Sequence, residues 1–184
     1  MKKLVLLLVI ALTFGITNTI QAQKFSGLDK SPADIASYPS SYRVADKAVK
    51  VVYSRPQLKG RSLAQLAPTG KVWRTGANES VEITFYKDVT LGGTSISAGT
   101  YSLFTIPGKS EWTVIINGSL NQWGAYSYDE AADVARVTGT VSTGEESLEA
   151  FSIAFVESGT DDTGDNVKLV MGWGTTRVSV PLNM

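Results

Sequence analysis

From Val49 onward the chain alternates apolar and polar positions with a period of two, and this pattern limits its fold more tightly than anything else in it. Val49, Val51 and Tyr53 are separated by Lys50 and Val52, and Val81, Ile83 and Phe85 by Glu82 and Thr84. Phe151, Ile153 and Phe155 repeat the pattern, as do Val167, Leu169, Met171 and Trp173; Val178, Val180 and Leu182 close it. Successive side chains of a strand point to opposite faces, so each run buries one face and wets the other, as antiparallel sheet requires. Turn chemistry falls between the runs. Leu91-Gly92-Gly93-Thr94 is a tight hairpin signal, because glycine accepts the positive φ such turns need. Pro107-Gly108-Lys109-Ser110 and Asn117-Gly118 punctuate the next two strands, and Gly172-Trp173-Gly174-Thr175-Thr176 reads as the link between the last two. Nine to ten short strands at this spacing predict an all-β fold, an antiparallel, jelly-roll-like β-sandwich over residues 49–184. Residues 23–48 read as irregular. The helix candidates are short: residues 31–37, where Ser31-Pro32 suits an N-cap and first helical position, residues 63–67 and residues 128–134.

The N-terminus carries an address. Lys2 and Lys3 precede an apolar run from Leu4 to Phe14, and Ala22 ends the polar stretch that follows. These are the parts of a secretory signal peptide, residues 1–22, and the run is short of the ~20 apolar residues a spanning helix needs. Cleavage there removes two lysines and no acid, taking 17 basic against 17 acidic residues to a net of −2. The remainder is one domain's worth of chain, exported and without a transmembrane segment. Near-neutral charge argues against nucleic acid as a partner.

The chain has no Cys and no His. That removes disulfides, thiol nucleophiles, the Ser-His-Asp triad and the commonest transition-metal ligand. No metal or cofactor is expected. Catalysis, if there is any, falls to carboxylates, Lys, Tyr or Ser/Thr.

One stretch is richer than a β-core requires. Between Tyr53 and Glu79 lie Arg55, Lys59, Arg61, Lys71, Trp73, Arg74 and Asn78. Arg74 and Asn78 have the donors to grip a carboxylate, phosphate or sugar, with Trp73 as a stacking plate. The same residues also read as a rigid turn, with Arg74 paired to Glu79 or Glu82 and Trp73 in the core, and an Arg beside acids is usually paired. Arg55, Lys59 and Arg61 form either an anion site or a solvated loop. A second stretch, Asn121 to Asp129, holds Trp123, Tyr126 and Tyr128. Rings that stack on pyranose faces and amides that bond hydroxyls make sugar-binding loops; the alternative is a plug at one end of the sandwich. The acids Glu79, Glu82, Asp129, Glu130 and Asp133 offer a carboxylate pair for glycoside hydrolysis. Residues 161–166 are acidic, but lack the spacing of a calcium loop.

The strings YSRPQLKGR, GKVWRTGANESVEITFYKDV, AGTYSLFTIPG, EWTVIIN and NQWGAYSYDE resemble the bacterial secreted family catalogued as domain of unknown function 2911, from about Val49 to Pro181. The resemblance implies an exported all-β domain from a Gram-negative bacterium, periplasmic or extracellular. It implies no activity. Taken together the residues point to a non-catalytic module for a small ligand, a glycan or an envelope protein. A carboxylate-dependent glycan hydrolase and a purely structural envelope protein are the alternatives.

Overall fold

A computed structural model describes residues 24–158 and 167–184. The segment read as a signal peptide and the acidic residues 161–166 lie outside these. Among the described residues the chain forms nine strands: β1 (Ala33–Tyr38), β2 (Val49–Ser54), β3 (Val81–Phe85), β4 (Val89–Leu91), β5 (Thr94–Ile96), β6 (Gly99–Ile106), β7 (Glu111–Asn117), β8 (Asp133–Glu157) and β9 (Val167–Asn183). They pair antiparallel in one open sheet, ordered β1-β2-β3-β6-β7-β8-β9-β4-β5. The expected sandwich is thus a single sheet folded over. Its long strands β8 and β9 carry it round, with register breaks between Thr143 and Leu148 and between Leu148 and Ser152. Irregular pairing of this kind bends a strand and lets it turn a corner. The second half of β8 then lies against the far end of the sheet. Phe151 donates its N–H to the Pro56 carbonyl at 2.9 Å, Leu58 to the Glu149 carbonyl at 2.9 Å, and Ile153 to the Tyr53 hydroxyl at 3.0 Å. Burial raises the Tyr53 pKa above the ordinary phenol value.

The period-two residues fill the enclosed space. Val49, Val51, Ile83, Phe85, Leu169, Val180 and Leu182 are each at most 1% exposed. At the centre Trp73 stacks on Trp173 with ring centroids 5.6 Å apart, and meets Phe151 and Trp112 edge-on at 5.1 and 6.2 Å.

Three local expectations need correction. Residues 33–38 are not part of a helical turn or an irregular segment. They form β1, paired residue for residue with β2 from Ala33↔Ser54 to Tyr38↔Val49. An N-cap is worth ~1 kcal/mol, and six paired residues on an existing strand outweigh it. Gly172 to Thr176 is not a link; β9 runs through it. A Cβ on Gly172 would lie 2.8 Å from Leu148 Cδ1, so this glycine serves close approach rather than a turn. Residues 63–67 do give a helix, α1 (Leu63–Leu66), where Ser62 donates its N–H to Gln65 Oε1 at 2.8 Å. Residues 128–134 give only a 3₁₀ turn, Glu130–Ala132.

Candidate functional site

The outer face of β2, β3 and β6 is where the polar positions of the alternation collect. Val52 is opposite Glu82, and Glu82 opposite Ser102. Inward neighbours Val51, Val81, Ile83 and Leu103 belong to the core. Above this row stands the segment after β7, and between the two lies an open cleft of about 500 Å³. Val52, Ser54, Ser80, Glu82 and Ser102 line its floor. Glu79, Leu120, Asn121 and Trp123 line its rim, and Ala33 and Tyr53 its end. Trp123 is 63% exposed. The other three tryptophans, Trp73, Trp112 and Trp173, are 5%, 4% and 2% exposed. A large aromatic left in water at the edge of a concavity is the arrangement that favours stacking of a ligand.

The segment from Trp73 to Ser80 builds the frame for this cleft. Trp73 and Thr105 exchange both backbone hydrogen bonds, at 2.7 and 2.9 Å, which fixes the segment to β6. Thr75 is fully buried at φ 60°, where a β-branched residue is an outlier. Its hydroxyl bonds the Thr105 hydroxyl at 3.1 Å and the Trp73 carbonyl at 3.3 Å, which compensates. Gly76 packs against β2; a Cβ there would lie 3.0 Å from the Ser54 carbonyl oxygen. Asn78, at φ 63°, accepts the Gly124 N–H at 2.9 Å, and Ser80 donates its N–H to the Gln122 carbonyl at 2.8 Å. Glu79 and Trp123 form a bridge between them. The backbone of this segment therefore hangs the Trp123 loop over the sheet. From its other end the loop is held by Asn117, whose amide donates to Asp133 Oδ1 at 2.7 Å and to the Asp129 carbonyl at 2.9 Å.

The sequence candidates divide accordingly. Trp73 is core and not a stacking plate, because four rings meet there away from water. Arg55 is not a free anion ligand. It donates to Asp34 Oδ2 at 3.0 Å, to the Phe151 carbonyl at 3.0 Å and to the Ser152 hydroxyl at 2.7 Å, tying β2 to β1 and β8. Arg61 spends its guanidinium on the carbonyls of Leu58 and Gln57 at 3.0 and 2.8 Å. Lys59 is held through its N–H by Glu149 Oε1 at 2.7 Å. The basic run thus makes three different attachments and no shared anion site among these contacts. Arg74 pairs with neither Glu79 nor Glu82: its Nε is buried without a hydrogen-bond partner, and it forms no ion pair among the described residues. The Ser31 N–H, 2.7 Å from Asp29 Oδ1, and after it the Asn78 side chain hold the Asp29 carboxyl below the usual carboxylate range, so the Asn78 side chain faces the N-terminal segment. Tyr126 is 85% exposed on the Trp123 loop but does not line the cleft.

Of the acids considered for hydrolysis, Asp129 caps the 3₁₀ turn through the Ala131 N–H at 3.0 Å. Asp133 takes the Tyr128 hydroxyl at 2.6 Å and Arg136 at 2.7 Å, and Glu130 lies 3.5 Å from the same Arg136 nitrogen. Burial and the Asp133 hydrogen bond push the Tyr128 phenol up, and Asp133 raises Arg136. Only Glu79 and Glu82 reach the cleft. Val52, Ser80, Ser102 and Leu120 carry no functional signal in the sequence; the alternation marks Val52 as an outward position, but nothing local says that a loop will cover it.

The family model described as "Protein of unknown function (DUF2911)" matches residues 31–182. The chain belongs to that family. The match begins just before β1, so the strand that sequence periodicity passes over is part of the family's unit. No curated protein and no solved structure matches the chain. Among the described residues no three His, Cys, Asp or Glu side chains group to hold a metal ion, and no helix is long and apolar enough to cross a membrane.

Proposed function

We propose that this protein is a non-catalytic binding module, exported to the cell envelope or beyond, and that it takes a small saccharide in the cleft beneath Trp123. One observation carries the reading: Trp123 alone of the four tryptophans is exposed, and it stands on the rim of a cleft whose other walls mix hydroxyl, amide and carboxylate groups with Val52 and Leu120. A sugar ring offers the matching surface, an apolar face for stacking and hydroxyls at its edge. Export rests on the basic start and apolar run of residues 1–22.

The same fact supplies the test. Acrylamide reaches Trp123 and not the three buried rings, so saccharide binding should protect a quenchable part of the emission that Trp123→Ala removes. A panel of oligosaccharides that leaves this quenching unchanged at millimolar concentration would end the saccharide reading.

The second reading, a carboxylate-dependent glycan hydrolase, draws on Glu79 and Glu82 sharing the cleft. It requires turnover of an oligosaccharide that Glu79→Gln or Glu82→Gln abolishes with the fold intact. Binding without turnover decides for the module.

A further inference from the structure

Among the described residues, every charged side chain that lines the cleft is an acid. Glu79 stands on its rim and Glu82 on its floor, and no Lys or Arg is among the lining residues. Neither acid forms an ion pair among the described residues, whose salt bridges use Asp34, Glu130 and Asp133. Of the basic residues that crowd this part of the sequence, Arg55 is engaged on Asp34 and β8 and Arg61 on its own loop's carbonyls, and neither they nor Lys59, Lys71 and Arg74 line the cleft. The charge of the site is therefore the reverse of what the Arg- and Lys-rich stretch suggests. An anionic ligand meets two uncompensated carboxylates there, and a neutral one leaves both without a counter-charge.

We infer that the ligand is a cationic amino sugar, an oligosaccharide of hexosamine units with free amines. This rests on the reading of the cleft as a saccharide site and names the class of saccharide. The ammonium group complements Glu79 and Glu82, forming charge-assisted hydrogen bonds stronger than those of a hydroxyl. The pyranose face lies on Trp123, whose exposed ring also attracts a cation near its face. Asn121, exposed on the rim, and the Ser80 hydroxyl are within the same cleft for the ring hydroxyls, and Ser80 is held from behind by the buried Ser102 hydroxyl 3.1 Å away, which donates to the Ser119 carbonyl at 2.7 Å. Val52 and Leu120 supply the apolar walls.

The experiment is calorimetric titration of the protein near neutral pH and low salt with a glucosamine oligomer, its fully N-acetylated counterpart, a glucose oligomer of equal length, and spermidine. Tighter binding of the glucosamine oligomer than of either uncharged oligomer, by about 10- to 100-fold, is expected from one or two charge-assisted bonds. Glu82→Gln and Glu79→Gln should erase that preference and leave the weaker binding of the uncharged oligomers, whereas Trp123→Ala should weaken all three sugars. Added salt should reduce the preference, because the charges are open to solvent. Equal affinity for all three oligomers, unchanged by either glutamine substitution, overturns the inference while leaving the saccharide site standing. Spermidine binding as tightly as the glucosamine oligomer also overturns it, as the sugar then contributes nothing. No heat and no change in Trp123 quenching with any sugar overturns both.

Discussion

Trp73→Ala separates architecture from site. The indole is 5% exposed and touches three other rings, Trp112, Phe151 and Trp173. Truncating a buried Trp to Ala typically costs about 3–5 kcal/mol, from lost transfer energy and from the cavity left behind. Each aromatic pair adds ~0.5–1.5 kcal/mol beyond area, so the upper part of that range applies, about 4–5 kcal/mol. The backbone bridge to Thr105 does not depend on the side chain and survives. A domain of this size has ~5–15 kcal/mol of stability, so the variant folds but loses a large fraction of it. With a urea m-value near 2 kcal/mol per molar, the midpoint should fall by about 2 M. The melting temperature should fall by roughly 8–20 °C, at ~2–4 °C per kcal/mol. Where the variant is folded, at low urea and low temperature, saccharide affinity should match that of the unsubstituted protein. A stability unchanged within about 0.5 kcal/mol, together with lost binding, would refute this reasoning and return Trp73 to the site.

Three further outcomes follow from the same contacts. Arg55→Ala removes donors to Asp34, Phe151 and Ser152; since the ion pair is half-exposed, most of the cost is the stranded Phe151 carbonyl, about 2 kcal/mol by urea denaturation, with saccharide binding unchanged. Gly108→Ala places a Cβ onto the Glu111 carbonyl oxygen in the turn between β6 and β7, and should cost about 3 kcal/mol because backbone and not a flexible side chain must move. The Asp29 carboxyl has a lowered pKa in the folded state, so its contribution is present above the usual carboxylate range and is lost as pH falls through the folded value. Hydrogen exchange at Ser31 should therefore remain slow through the ordinary carboxylate range relative to Asp29→Asn, and the difference should shrink as pH falls below that range.

The strands were legible wherever burial imposed a strict period of two, as in Val49–Val51–Tyr53 and Val81–Ile83–Phe85, all of which face the core. The Gly92-Gly93 turn was legible for the same reason, since local geometry decides it. β1 was not, because its Ser-Pro-Ala-Asp start favours a helix locally and only pairing with β2 overrides it. The run through Gly172 was misread because glycine marks close approach as well as turns. The site was half legible. Trp123 and Glu79 were visible as residues that a core does not need, and the structure brings them together with Glu82. Arg55, Arg61 and Trp73 were equally conspicuous, but Trp73 is buried in the core and the two guanidiniums are taken up by other protein groups. Arg55 finds Asp34, 21 residues earlier, and Ser152, 97 residues later. Which charges a cleft retains depends on such long-range pairings, and they leave no local trace.

The most direct measurement is an amide and indole chemical-shift map of the ¹⁵N-labelled protein titrated with the glucosamine oligomer. The account predicts shifts that centre on the Trp123 indole N–H and on the amides of Val52, Ser80, Glu82, Ser102 and Asn121. Shifts that centre instead on Lys59, Arg61 and Arg74, with Trp123 silent, would contradict it.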